Sequence, residues 1–290
     1  MPRIGAIFQP AFPPERFRSV VESAEEAGVP ELWLWEDCFR ESAFAAASAA
    51  LAWTDRLKVG IGIAPMPLRN VALTAMEIAT VERLFPGRII PGVGHGVLDW
   101  MGQVGARVAS PLTLMREYVP ALRSLLAGDE VTTDGRYVRL DRVRLDWPPA
   151  TAPAVLAAGE GPKTLHLTGE VADGTIIPAG ASTDRIAASA ETVAGGWSAA
   201  GRDGAPEIVV FLVAGFGGDE ARERAIADLR AWNPNADASL VATGGVDDVV
   251  ATVQRYAAAG ATSVILQPAQ DEPDLEGFSA RVGEVATLIG

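Results

Sequence analysis

The sequence predicts an α/β fold: a (β/α)8 barrel in one domain over residues 1–290, with insertions after helix 4 and after helix 7. Three observations predict it. Eight short, nearly continuous apolar runs recur along the chain, the pattern of parallel strands buried on both faces. Helical stretches lie between them, and strands alternating with helices of that length call for a parallel sheet. Eight such units favour closure into a barrel. The alternative, an open doubly wound sheet, usually carries Gly-x-Gly-x-x-Gly after its first strand, and here that position reads FQPAFPPE.

In chain order, the first run is RIGAIFQ, about 3–9. In the next stretch Phe17, Val20, Val21 and Ala24 recur at helical spacing, with Gly28 as a stop. ELWLWED at 31–37 and LKVGIGIA at 57–64 are the second and third strands. A helix over RNVALTAMEIATVERLFPG ends at Pro86-Gly87 and leads to GRIIPGVG at 87–94. Helix 4 opens at Ser110, a cap, with Pro111 at its first position. Residues 129–147 carry the turn pair Asp134-Gly135 between β-like arms, a hairpin inserted after that helix. APAVLAAG at 152–159, DGTIIPAG at 173–180 and EIVVFLVAGFG at 207–217 follow. After helix 7, DEARERAIADLRAW, the polar, Gly-rich segment 233–247 is the second insertion. One further helix, the strand TSVILQPA at 262–269 and a last helix close the chain.

Composition narrows the partners. The 290 residues carry a formal charge of −13, which repels phosphate backbones and argues against nucleic acid or an anionic membrane. No run of about 18 apolar residues free of charges or breakers exists, so no membrane span is expected. The N-terminal apolar run is too short for a signal segment, and one cysteine, Cys38, permits no internal disulfide. Both point to a cytoplasmic protein. With two histidines, His95 and His166, and no HExxH or CxxC, no metal site is expected.

In such barrels chemistry sits where the strands end and the loops begin. Strand 2 ends Glu36-Asp37-Cys38; Trp33, Trp35 and Asp37 share one face, and a carboxylate there needs a donor or a ligand. Cys38 reads as a small buried hydrophobe. Strand 3 ends Gly60-Ile61-Gly62-Ile63, where two glycines mark a bulge, the close approach of a flat ligand, or simple packing. His95 follows Gly94 at the end of strand 4, either as a general acid or as a hydrogen-bonded structural imidazole. His166 reads as an ordinary helix residue. Strand 5 ends Gly159-Glu160-Gly161 and strand 6 ends Ala179-Gly180-Ala181, each directly before a helix. A Gly-rich turn at a helix N-terminus offers unpaired N–H groups and the positive dipole end, so two neighbours could cradle one phosphate.

In WLWEDC, VGIGIAP, RNVALTAMEIATVERLFPGRIIPGVGHG, YVPALRSLLAGDEVTTDGRYVRL and PAVLAAGEGPKTLHLTGEVADGTIIPAG, the chain resembles the bacterial luciferase-like family, and particularly its branch using the deazaflavin coenzyme F420. The resemblance implies an open flavin or deazaflavin cleft at the top of the barrel. It implies that Asp37 lies near the ring system, with Cys38 and Gly94 also at the coenzyme. It places a non-prolyl cis peptide at Gly62-Ile63 behind one ring face. It puts backbone amides of Gly159, Glu160, Gly161, Ala179, Gly180 and Ala181 on the phosphate. Two departures stand out: Cys38 replaces a His found in several deazaflavin members, and Val97 replaces a Glu of some sugar-phosphate-oxidising members. His95 is then the nearest acid in chemistry.

The function implied is an F420-dependent oxidoreductase that passes a hydride between the deazaflavin and a small organic substrate. Phe39, Met66, Trp100 and Met101 would line the substrate pocket, with residues 97–110 as a partial lid. Lys163 and Arg69 are candidate counter-charges for the anionic coenzyme tail. The family is commonly homodimeric. Two alternatives stand: an FMN-dependent monooxygenase, which often fixes its phosphate with Arg or Tyr plus Ser, and a non-catalytic flavin-binding barrel.

Overall fold

The structure, a computed structural model, describes residues 1–290. β1 (Arg3–Ile7) leads to α1 (Phe17–Glu26), and β2 (Glu31–Leu34) to α2 (Ala43–Trp53). β3 (Lys58–Ile61) and its continuation β4 (Ala64–Pro65) lead to α3 (Val71–Leu84). β5 (Ile89–Ile90) and β6 (Gly92–Gly94) are one stave interrupted at Pro91, followed by α4 (Leu98–Gln103) and α5 (Pro111–Ala127). β7 (Val131–Asp134) and β8 (Arg139–Val143) pair antiparallel as a separate ribbon. Then come β9 (Leu156–Ala158) with α6 (Pro162–Val171), and β10 (Gly174–Ile177) with α7 (Thr183–Ala199). β11 (Glu207–Phe216) precedes α8 (Asp219–Trp232), β12 (Ala242–Gly244) precedes α9 (Val246–Ala258), and β13 (Ser263–Gln267) precedes α10 (Leu275–Ile289).

Every main-sheet pairing is parallel. β13 pairs with β1, β1 with β2, β2 with β3 and β3 with β5. Past the two interruptions, β4 pairs with β6, β6 with β9, β9 with β10, β10 with β11 and β11 with β13. Because β3/β4 and β5/β6 are each one run of chain, these pairings return to their start and enclose a lumen.

Seven buried residues fill that lumen: Ile7, Trp33, Leu156, Ile176, Val209, Phe211 and Ile265. The larger apolar layer lies outside, between staves and helices. Trp33 is the bulkiest lumen residue. Its indole N–H donates to the buried Glu31 carboxylate at 2.9 Å, which also accepts from Arg3 at 2.8 Å. Arg3 reaches Glu207 at 2.7 Å as well, so one guanidinium ties β1, β2 and β11 together at the foot of the barrel. Burial pulls the Arg3 pKa down, but the two carboxylates outweigh it and the net shift is upward.

Trp33 also explains strand 3. A Cβ on Gly60 would overlap the Trp33 indole, and one on Gly62 would fall 2.6 Å from Phe211. The flat group pressed against these glycines is the protein's own side chain. A second close approach joins α6 to α7: a Cβ on Gly169 would strike the Val193 carbonyl, and one on Gly196 the His166 carbonyl. The two helix backbones therefore touch, which sets the distance between the turns that precede them.

The ladders are shorter than the apolar runs. β2 stops at Leu34, and β9 holds only three residues, since the Val155 N–H before it donates to the Asp173 carboxylate at 2.9 Å and the Gly159–Gly161 turn leaves at once for α6. No amphipathic stripe announces α2, since AFAAASAALAW has almost no polar residue to form the opposite face. Ser110 caps α5 and Pro111 fills its first position as the sequence predicts. In segment 233–247, Asp237 caps a short turn by accepting from Ser239 N–H at 2.7 Å, and β12 then adds beside the upper end of β11.

The Gly60→Ala variant is expected to lose about 2–3 kcal/mol of stability, the scale of core overpacking, read as a lower urea midpoint. Gly161→Ala, where a Cβ would meet nothing within 4 Å, is expected to leave the midpoint in place.

Candidate active site

Trp35, Ile63, Ile90, Ala158 and Ala179 pack on the lumen residues while remaining partly exposed. Ile90 lies level with Trp33, whereas Trp35, Ile63, Ala158 and Ala179 come from the ends of different staves and form an apolar surface at the barrel mouth. Phe211 supports it from below, stacked on Trp35 with ring centroids 6.0 Å apart and planes 28° apart. The Gly62–Ile63 peptide is cis, as the resemblance implies. Gly94 lies against Ile63: a Cβ there would fall 2.9 Å from Ile63 Cγ1 and 3.4 Å from Ala158. A larger residue at 94 would lift Ile63 out of the surface.

Asp37 stands half-buried at the edge of this surface. Burial pushes its carboxyl pKa up, partly offset by a hydrogen bond from Trp35 and the charge of Arg40. Cys38 is half-buried, and burial, with Glu36 and Asp37 nearby, holds its thiol up and protonated. The Cys38–Phe39 peptide is also cis, which the sequence did not signal. Phe39 projects outward at 65% exposure.

His95 is half-buried with Nδ1 enclosed and without a partner. Burial pulls its pKa below the ordinary 6.5, so the ring is neutral near pH 7 and not an imidazolium. A buried polar atom without a partner is uncommon and marks a place where a ligand group fits. Gly96 follows in a left-handed conformation, φ 66°, with Pro65 and Met101 against it. Two expected pocket residues are corrected here. Met66 and Met101 are 2% and 1% exposed, packed beneath the surface and not lining an opening. Both thioethers fill gaps among apolar neighbours, as flexible Met side chains commonly do. Trp100 remains partly exposed on α4, within the stretch expected as a lid loop.

The two Gly-rich turns expected to hold an anion stand at the ends of the neighbouring staves β9 and β10. The α6 N-cap, Gly161, makes no side-chain cap, and the space at its Cα is open. The first-turn N–H groups of α6 are therefore available to a ligand. Beside it, Gly180 turns at φ 91° over Leu229, and the Ala181 carbonyl is held by Tyr256 Oη at 3.0 Å. α7 differs, since Ser182 already accepts from the Arg185 N–H at 3.3 Å. A guanidinium does stand at the rim: Arg185 lies 3.5 Å from exposed Glu160. Arg69 is committed elsewhere, at 2.6 Å from Glu36 and 3.8 Å from Glu77, over the Phe44 ring. Lys163 is exposed in the first turn of α6, and His166 pairs with Glu170 at 3.1 Å.

Sequence reasoning missed Trp35, Ala158 and Phe211 as parts of the site. The alternation Trp33, Trp35, Asp37 carried the signal for the first. The pairs 156/158 and 209/211 carry it for the others, since inward residues recur every second position. No group of three or more His, Cys, Asp or Glu is placed to hold a metal ion, and no helix is long and apolar enough to cross a membrane.

A profile of the family described as luciferase-like monooxygenase matches residues 3–287. The 5,10-methylenetetrahydromethanopterin reductase of Methanolobus tindarius is 29% identical over 221 residues, 76% of this chain and 67% of that protein. The F420-dependent glucose-6-phosphate dehydrogenase of Kineococcus radiotolerans is 29% identical over 241 residues, 77% of this chain and 70% of that one. Among solved structures, an F420-dependent secondary alcohol dehydrogenase in complex with an F420-acetone adduct superposes with a TM-score of 0.86 over 98% of each chain, at 22% identity, a likeness of fold.

The enclosed His95 predicts a pH effect. Its folded pKa lies below the unfolded value near 6.5, so its contribution is fully present above 6.5 and is lost as pH falls through the depressed value. Between pH 7 and 5 the protein is expected to lose more stability than His95→Gln does. Parallel denaturation curves for the two would show that the imidazole is not desolvated.

Proposed function

The chain belongs to the luciferase-like monooxygenase family, and we propose that within it the protein is a coenzyme F420-dependent oxidoreductase, moving a hydride between the deazaflavin and a small organic substrate. One observation carries this reading: a flat apolar surface of Trp35, Ile63, Ala158 and Ala179 lies beside the uncapped N-terminus of α6. That pairing suits a planar tricycle with an anionic arm. The F420-dependent relatives support the same reading.

When bound, the deazaflavin supplies hydride exchange at a ring carbon. The residues of this chain do the rest. Ile63 would back the ring. Asp37 offers its carboxyl at the ring edge. Gly159, Glu160 and Gly161, with Ala179, Gly180 and Ala181, hold the arm through main-chain N–H groups in place of cations. His95, neutral, exchanges a hydrogen bond with the substrate's polar atom, so it works as a positioned donor and not as a strong acid. Phe39 and Trp100 border the substrate and limit water, whereas Met66 and Met101 support from behind. The reading takes the chain as one domain, with the β7–β8 ribbon and segment 233–247 as insertions. A single protonated thiol fits a cytoplasmic setting.

The outer face of α3 favours a homodimer. Leu73, Met76 and Leu84 are 45%, 56% and 66% exposed, a stripe that a lone barrel would leave in water.

Spectroscopic titration is expected to give a micromolar Kd for F420, about −8 kcal/mol, with FMN at least ~10-fold weaker. Tighter FMN binding would move the assignment to the monooxygenase reading, with Arg185 and Ser182 as phosphate ligands. His95→Gln is expected to slow turnover ~100-fold at unchanged coenzyme affinity. An equal rate would make the imidazole structural. Sedimentation is expected to give twice 30.3 kDa, or 60.6 kDa, and Met76→Glu to shift it towards the monomer mass.

A further inference from the structure

An enclosed ion pair stands directly behind the surface at the mouth. Glu36 lies between Trp35 and Asp37 in the chain, with its carboxylate turned the other way, towards α2 and α3. One oxygen, Oε1, accepts from Arg69 at 2.6 Å, from the Ala43 N–H at 3.0 Å and from Ser42 Oγ at 3.4 Å. The Glu36 side chain is 9% exposed and that of Arg69 15%, so removing either leaves the other as a largely buried, unpaired charge. Arg69 is itself fixed by the Phe44 ring, 5.1 Å from guanidinium to centroid, and by Glu77 at 3.8 Å.

The pair meets the site through the backbone. The Glu36 N–H donates to the Ile63 carbonyl at 3.2 Å. Glu36 is therefore one peptide bond from Trp35, one from Asp37 and one hydrogen bond from Ile63. These residues lie where regular pairing has ended, since β2 stops at Leu34 and β3 at Ile61. Across that gap the main chain supplies the Gly62 N–H to Leu34 carbonyl bond, at 2.7 Å, and the bond to Ile63. The ion pair spans the same gap, from the segment after β2 to the turn after β4.

We propose that Arg69 is a positioning residue for the planar coenzyme, holding Trp35, Asp37 and Ile63 in one surface by way of Glu36. The inference rests on the function proposed above and adds to it the group that keeps the ring's seat in shape. Arg69 and Glu36 act from behind and need no contact with the ring.

The test uses Cys38, the single cysteine, two residues beyond Glu36. Burial, then the charges of Glu36 and Asp37, hold its thiol up. Loss of the Arg69 charge alone leaves Glu36 uncompensated, raises the thiol further and slows its reaction with an aromatic disulfide reagent, because the thiolate attacks. Release of the segment exposes the thiol and speeds the reaction. The two effects differ in sign, so the direction of the change tells them apart. In the full-length protein, well below its melting temperature, Arg69→Gln is expected to react about 10-fold faster, as local opening allows. Arg69→Lys keeps the charge and is expected to restore most of the slow rate. Arg88→Gln breaks a half-buried guanidinium at the foot of the barrel, bonded to the Leu57 and Thr54 carbonyls at 3.0 and 2.8 Å. It is expected to lower the melting temperature with the Cys38 rate unchanged. If Arg69→Gln does not fold, Glu36→Gln carries the test, read at the alkaline plateau where the thiol is ionised.

Fluorescence titration with F420 is expected to show about 10-fold weaker binding in Arg69→Gln, since preorganisation is lost, and near-normal binding in Arg69→Lys and Arg88→Gln. An unchanged or slower Cys38 reaction in Arg69→Gln overturns the positioning role, and so does a faster reaction with unaltered F420 affinity. If the unaltered protein binds FMN and not F420, the deazaflavin reading falls alone, and the same comparison with FMN decides the role of Arg69. Binding of neither overturns both.

Discussion

The Trp33 indole occupies the inside of the barrel, and the rest of the site stands on it. Below, the ring is held through its N–H by Glu31, which Arg3 fixes in turn at the base of three staves. Above, Trp33 meets Phe211 edge-on, with centroids 5.7 Å apart, and Phe211 stacks under Trp35. A continuous column of rings thus runs from an ion pair at the foot to the surface at the mouth. Side chains in such a column have few alternative rotamers, because the interior is packed at crystal-like density. The column is also what strips strand 3 of side chains at Gly60 and Gly62.

Electrostatics at the mouth follow a rule of near-neutrality. Burial raises the carboxyl of Asp37, keeps the thiol of Cys38 protonated and keeps the imidazole of His95 uncharged. Of the guanidiniums close by, Arg69 is paired with Glu36 and Glu77, and Arg185 with Glu160. Fixed charge is thereby kept away from the apolar surface, where it would be expensive to desolvate. The anion cradle proposed at the turns before α6 and α7 would meet the same constraint with main-chain N–H dipoles.

Much of this was legible in the sequence, and the failures have physical reasons. The staves could be read because inward and outward faces are both apolar, leaving nearly unbroken runs such as EIVVFLVAGFG. The cap at Ser110, the turn pair Asp134-Gly135 and the Gly-rich ends of strands 5 and 6 are local signals, fixed by backbone preference within a few residues. What could not be read were contacts across the lumen. Gly60 and Gly62 announced a flat neighbour, but not that the neighbour would be Trp33. Met66 follows the end of strand 3 and Met101 lies in the 97–110 stretch, yet whether such residues line or underlie a surface depends on how the turns fold back. Arg69 was drawn away by Glu36, a partner 33 positions earlier in the chain. α2 was silent because an alanine-rich helix has no contrast between its faces.

The backbone contact between α6 and α7 has a mechanical consequence. With Gly169 and Gly196 leaving no side chain between them, neither helix can slide or roll against the other without the peptide groups colliding. The pair moves as one body, like two fingers bound at the knuckle, and their starting turns keep a constant span.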